Sequence, residues 1–143
     1  MLSQSGRAKR ILVVDDESTL IFFLKKDLEE MDSAFHVDIA SSGEDALKKL
    51  TYNRYDLLIS DLNMPGISGF TLAEVARSMH PDIKIVLMTA FGSQEVKMEA
   101  QNLMVDGYLT KPFPTAQLRK LVYDTLVTSI QDNITNPIAK NKG

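Results

Sequence analysis

Tyr55-Asp56-Leu57-Leu58-Ile59-Ser60-Asp61-Leu62-Asn63-Met64-Pro65-Gly66 runs from an apolar core into a carboxylate and then breaks into Pro-Gly. Leu57 to Ile59 is short, apolar and bounded by turn residues, the pattern of a strand buried on both faces. Asp61 therefore stands at a strand exit. Asp is common in turns, but in open α/β sheets ligands bind beyond the carboxyl ends of the strands, so this carboxylate is also a functional expectation.

Working outward, Ile11-Leu12-Val13-Val14 is a second unbroken apolar run, closed by Asp15-Asp16-Glu17, and reads as a central parallel strand. Leu20, Phe23, Leu24, Leu28 and Met31 then recur at helical spacing, with Lys25, Lys26, Asp27, Glu29 and Glu30 on the other face. Phe35, Val37 and Ile39 alternate with His36, Asp38 and Ala40, which predicts an edge strand. Ser41-Ser42-Gly43-Glu44 offers a capping box for a second helix with Ala46, Leu47 and Leu50 inward. Phe70, Ala73, Val75, Ala76 and Met79 support a third helix that ends before His80-Pro81. Ile83 to Met88 is a fourth strand ending at Thr89-Ala90. Ser93 caps a fourth helix with Val96, Ala100, Leu103 and Met104 on one stripe. Gly107 to Thr110 is a short fifth strand, closed by Lys111-Pro112, a bond type open to the cis form. Leu118, Leu121, Val122, Thr125 and Leu126 define a fifth helix.

Strands alternating with helices in this way predict an α/β fold, a doubly wound five-stranded parallel sheet. Right-handed crossovers put every strand's carboxyl end on one rim, so Asp15, Asp16, Asp61, Thr89 and Lys111 should converge although they lie far apart in the chain. The expected division is a flexible arm over 1–9, one domain over 10–130 and a polar tail over 131–143.

Composition narrows the function. A hydrophobic fraction of 44%, a charged fraction of 24% and a net charge of -3 suit a soluble globular domain and exclude a strongly basic nucleic-acid binder. With no cysteine there is no disulfide, thiolate metal site or thiol nucleophile. The basic start, Met1 to Arg10, lacks the apolar centre of a secretory signal, and no run approaches the ~20 apolar residues of a membrane span. A cytoplasmic protein without membrane contact is expected, so the sequon at Asn133-Ile134-Thr135 is a chance match.

Three carboxylates at one rim repel each other unless a cation is present or one stays protonated. Mg²⁺ answers this, because it takes oxygen ligands and retains several waters. Lys111 adds a compact cation and Thr89 a hydroxyl donor, a set that suits a tetrahedral anion. A phosphoryl group fits, with Asp61 as its acceptor through an acyl phosphate.

These residues resemble the receiver domain of two-component response regulators, over roughly Arg10 to Ile130. The resemblance implies a flavodoxin-like (βα)5 fold with strand order 2-1-3-4-5. It makes Asp15 and Asp16 the acidic pair for Mg²⁺, Asp61 the phosphoacceptor and third carboxylate ligand, and Asn63 the residue whose backbone carbonyl binds the metal. Thr89 becomes the switch hydroxyl, Tyr108 the switch aromatic that turns inward from solvent, and Lys111 the phosphate partner. A sensor histidine kinase or histidine phosphotransfer protein is the implied donor. The face of the fourth helix, fifth strand and fifth helix would meet a downstream protein, an output domain or a second phosphorylated copy. Such a chain is a signalling domain that at most catalyses its own phosphorylation and dephosphorylation, and it does not bind nucleic acid directly. Three positions depart from the family: Met104 where glycine is frequent, Phe91 as a bulky group near the site entrance, and Pro114 at the start of the fifth helix with Thr115 as substitute cap. The alternative enzyme reading is a phosphohydrolase similar to the haloacid dehalogenases, with Asp15 as nucleophile, but that pattern wants Asp where Glu17 stands. A flavin site at the same rim would face phosphate repulsion from Asp15-Asp16-Glu17.

Overall fold

The computed structural model describes residues 8–128, so the tail over 131–143 and nearly all of the expected arm lie outside the described residues. The strands are β1 Lys9–Val14, β2 Phe35–Ala40, β3 Leu57–Asp61, β4 Lys84–Thr89 and β5 Gly107–Thr110. The helices are α1 Ser18–Met31, α2 Gly43–Tyr52, α3 Gly69–Met79, α4 Gln94–Asn102 and α5 Thr115–Tyr123, the last continued by a π-helical turn over Asp124–Thr128. All neighbouring strands pair in parallel, in the order β2-β1-β3-β4-β5. Lys9 thus belongs to β1 and not to the arm.

Alternation along β1 divides the interior in two, because successive side chains of a strand point to opposite faces. Leu12 and Val14 pack with Ala46 and Leu50 of α2, Leu72, Ala73 and Ala76 of α3 and Ala100 of α4. Ile11 and Val13 pack with Ile21, Leu24 and Leu28 of α1 and Leu118 and Val122 of α5. Each fully buried aliphatic side chain contributes roughly 1.5–3 kcal/mol relative to exposure. The register carries this order to the rim. Val14 pairs with Ser60, Asp61 with Met88 and Thr89 with Thr110, so the residues that end β1, β3, β4 and β5 emerge at one level.

Several helical faces turn out differently from the sequence pattern. Phe23 is 51% exposed and Ile21 takes its place in the core, a rotation of the stripe that side-chain spacing alone leaves undetermined. Asp27, expected on the solvent side, is buried because Arg119 of α5 grips its carboxylate with Nε at 3.1 and 3.2 Å. In α3, Leu72 is buried and Met79 exposed. Ser42 does cap α2, accepting from Asp45 N at 3.0 Å, but Glu44 lies against Gly66 instead of reaching back. Gly66 has φ 81, the left-handed region where glycine costs least. Pro114 is the N-cap of α5 without a side-chain cap bond, and Thr115 is already helical, so the substitute cap is not formed.

Met104, expected on the α4 stripe, is 73% exposed and lies past the helix end with φ 56. The chain reverses there in the left-handed conformation that glycine usually supplies at a helix C-terminus. Arg77 of α3 steadies the turn by donating to Leu103 O and, at 2.7 Å, to Met104 O. The Lys111-Pro112 bond is cis.

The outer edge of β2 is also closed by side chains. Val37 N donates to Glu29 Oε2 at 3.1 Å, and Lys25 Nζ donates to Val37 O at 2.6 Å while pairing with Glu29 at 3.0 Å.

Candidate functional site at the carboxyl ends of the strands

β1 delivers Asp15, β3 delivers Asp61 and the residue after β5 is Lys111, and the structure brings the three together. Asp15 is fully buried and Asp61 is 4% exposed, whereas Asp16 faces solvent. One carboxylate oxygen from each of Asp15, Asp16 and Asp61 lies within 4.8 Å of the others. Glu17 N donates to Asp15 Oδ1 at 3.0 Å, which fixes the first carboxylate from the chain itself. Lys111 Nζ sits 2.6 Å from Asp15 Oδ2 and 3.6 Å from Asp61 Oδ1.

That asymmetry decides the electrostatics. Burial and the Asp15 charge push the Asp61 carboxyl above its ordinary range, against the opposing pull of Lys111 and of the Asn63 backbone N–H. Lys111 does not restore it because its ammonium is committed mainly to Asp15. Burial by itself would lower Lys111, but the hydrogen bond and charge of Asp15, then Asp61 and Glu17, hold it above the usual lysine value. Of the remedies expected for crowded carboxylates, a cation is present in Lys111, and the Asp61 carboxyl is displaced in the direction that favours its proton.

Gly69 makes the strand exit possible. A Cβ there would collide with Asp61 O and come within 2.8 Å of Leu62 Cα, so α3 starts directly against the backbone that carries Asp61. Glycine at this position follows from no local turn rule, and the sequence gives no sign of the contact.

Thr89 is fully buried one strand further on. Its hydroxyl oxygen accepts from Asn63 Nδ2 at 3.0 Å and from Phe91 N at 3.0 Å, and it lies 3.4 Å from Phe91 O. Phe91 is exposed and contributes its backbone here. Tyr108 differs from the expected solvent-facing position: the ring packs partly buried beside the α2-α3-α4 core, and its hydroxyl is buried without a hydrogen-bond partner among the described residues. Burial pushes the Tyr108 phenol up. Gly92 lets the loop pass over it, since a Cβ there would stand 2.9 Å from Thr110 Oγ1 and 3.6 Å from Tyr108 OH. The Asn63 side-chain bond to Thr89 escapes sequence reading because it joins strands only after the sheet has formed.

The all-oxygen donor set suits a hard dication, and no histidine joins the group. Among the described residues no helix is long and apolar enough to cross a membrane.

Residues 11–123 match the family model of the response regulator receiver domain. The transcriptional regulatory protein PrrA of Mycobacterium tuberculosis is 35% identical over 109 residues, 76% of this chain and 46% of that protein. The chain spans about half the length of the curated relatives it matches. Among solved structures, the CheY-like receiver domain protein from Methanospirillum hungatei superposes with a TM-score of 0.80 at 27% identity, covering 87% of this chain and 98% of that one. The response regulator protein TrrA from Thermotoga maritima, in complex with Mg(2+)-BeF, gives a TM-score of 0.72 at 40% identity, covering 82% and 99%. The dehalogenase alternative gains no support from any of these. The chain belongs to the receiver domains of two-component response regulators.

Proposed function

We propose that Asp61 is the phosphoacceptor of this receiver domain and that its donor is a phosphohistidine on a sensor kinase or phosphotransfer protein. The observation that carries this reading is the position of Lys111, shared at 2.6 and 3.6 Å between Asp15 and Asp61 beside the three-carboxylate group. An Asp61 oxygen forms the new bond to phosphorus as the phosphorus–nitrogen bond of the donor breaks, and the departing imidazole takes up a proton. Asp15, Asp16, Asp61 and the Asn63 carbonyl would hold Mg²⁺, which supplies charge neutralisation for the phosphoryl oxygens. Lys111 is placed to turn from Asp15 toward the incoming anion, and Asp15, anchored by Glu17 N, remains to hold the cation side of the site.

The reading of the phosphoryl group belongs to Thr89 and Tyr108, and its output to the face built by α4, β5 and α5. A downstream protein, an output domain or a second phosphorylated copy meets that face, in the cytoplasm and without direct contact of this chain with nucleic acid. Incubation with acetyl phosphate and Mg²⁺ should add one phosphoryl mass to the wild type and none to Asp61→Asn. An equal gain in both would remove Asp61 from the role. Lys111→Ala should keep Mg²⁺ binding in titration calorimetry, since lysine opposes the metal for the same carboxylates.

A further inference from the structure

We propose that Arg77 is a positioning residue that makes the C-terminal end of α4 a fixed pivot, so that a group on Asp61 is read on the first half of α4 and not on the last. The proposal rests on Asp61 being the phosphoacceptor. The Arg77 guanidinium, carried by α3, donates to Leu103 O and, at 2.7 Å, to Met104 O, carbonyls of the kind that a helix leaves without partners at its end. The chain just beyond is joined to the sheet. Asp106 N donates to Ile85 O at 2.7 Å and Ile85 N donates to Asp106 Oδ2 at 2.8 Å, with Arg77 3.7 Å from the same carboxylate oxygen. Ala100, one turn before Met104, is the fully buried residue of α4. This end is therefore held by α3, by β4 and by the core together.

The other end is held by its own neighbours. Phe91 N donates to Thr89 Oγ1 at 3.0 Å, Ser93 N to Phe91 O at 3.0 Å and Val96 N to Ser93 Oγ at 3.1 Å. Gln94, Glu95, Lys97 and Met98 face solvent and Val96 is half-buried. A nine-residue helix with its internal bonds intact moves as a rod, so a displacement that starts at Thr89 turns it about the end that is tied. At about 1.5 Å of rise per residue, Glu95 stands roughly 12 Å from Leu103 and Asn102 roughly 1.5 Å, so one rotation carries the first several times further than the second. The groove of 140 Å³ between α4 and β5 has Lys97 on the moving half and Gln101 and Val105 on the held part, with Tyr108 on its β5 wall. A downstream protein seated there meets a groove that changes width at its Lys97 end.

The full chain has no cysteine, so nitroxide labels can be attached in chosen pairs without background. Glu95→Cys and Asn102→Cys mark the two ends of α4, and each is paired in turn with Tyr52→Cys on α2 and Lys26→Cys on α1, all four positions being exposed. Electron-spin distance measurements then follow both ends from two directions. Beryllofluoride with Mg²⁺ should shift the Glu95 distances at least about threefold more than the Asn102 distances, as the lever arms require. In Arg77→Met, which keeps apolar bulk and removes the donors, the two shifts should become comparable. In the resting chain the Leu103 N–H should exchange more slowly than the Met98 N–H, and Arg77→Met should reverse that order, whereas an arginine that only stabilised the fold would speed all amides alike. Equal movement at both ends of the wild type, or a wild-type pattern retained in Arg77→Met, overturns the pivot. So does an unmoved Glu95 in a chain that gains one phosphoryl mass from acetyl phosphate. A wild type that gains no such mass overturns instead the assignment of Asp61, and the resting exchange order then decides the pivot by itself.

Discussion

Replacing Asp61 by Asn should make the resting domain more stable, because the site holds a charge that its surroundings resist. Asp15 lies within 4.8 Å of the Asp61 carboxylate, and at an effective dielectric of about 20 that repulsion is no less than ~3.5 kcal/mol. Lys111 at 3.6 Å offsets it by ~4.6 kcal/mol. Asp16 adds a further repulsion that solvent largely screens, and removing the buried Asp61 charge from water costs roughly 2 kcal/mol or more. The balance leaves the charge unfavourable by about 1 kcal/mol, in the same direction as the raised carboxyl. For a domain of this size that amounts to about 3–5 °C in Tm for Asp61→Asn over wild type, read by thermal circular dichroism in EDTA at pH 7. The folded chain holds the Asp61 proton more tightly than the unfolded chain, so the wild type loses stability as pH rises from the ordinary carboxyl value of 3.8 through the raised folded one. The gap between the two proteins should therefore vanish below that window and be complete above it. Millimolar Mg²⁺ should stabilise the wild type more than the variant and shrink the gap. A variant that melts below wild type in EDTA at pH 7 would refute the reasoning.

Gly69→Ala should displace the backbone at Asp61 and Leu62, costing about 1–3 kcal/mol and slowing phosphorylation; urea unfolding and the mass gain with acetyl phosphate would both register it, and wild-type values in both would dismiss the contact. Met104→Gly should stabilise the domain by about 0.5–1 kcal/mol, since the exposed side chain buries little and glycine relieves the left-handed backbone; a lower urea midpoint would contradict this. Arg77→Ala should cost about 1–2 kcal/mol and speed hydrogen exchange in the last turn of α4, because Leu103 and Met104 carbonyls lose their donor.

The order of elements and the rim residues were legible because they depend on patterns that survive in one dimension. Two-sided apolar runs mark Ile11 to Val14 and Leu57 to Ile59, and each ends in the carboxylate that the sheet then gathers. What escaped was set by partners distant in sequence. The rotation of α1 that exposes Phe23 and buries Asp27 depends on Arg119, 92 positions away. The bond from Asn63 to Thr89 spans 26 positions and requires β3 and β4 to be side by side. Met104 was visible as a departure, yet its left-handed backbone depends on the reversal between α4 and β5 and on Arg77 reaching across from α3.

The plugged edge at Val37 bears on how this chain behaves in a crowd of its own copies. An outer strand with open amides and carbonyls is a template on which another polypeptide can add itself, and the usual outcome is sheet growth from molecule to molecule. Here an incoming strand would have to evict Glu29 from Val37 N and Lys25 from Val37 O, and it would separate the two opposite charges from each other as it did so. Two helix side chains thus act as a permanent imitation of a neighbouring strand, one residue long. The sheet is thus guarded against an added strand at its β2 edge, while its opposite edge, β5, lies on the face proposed to meet partners.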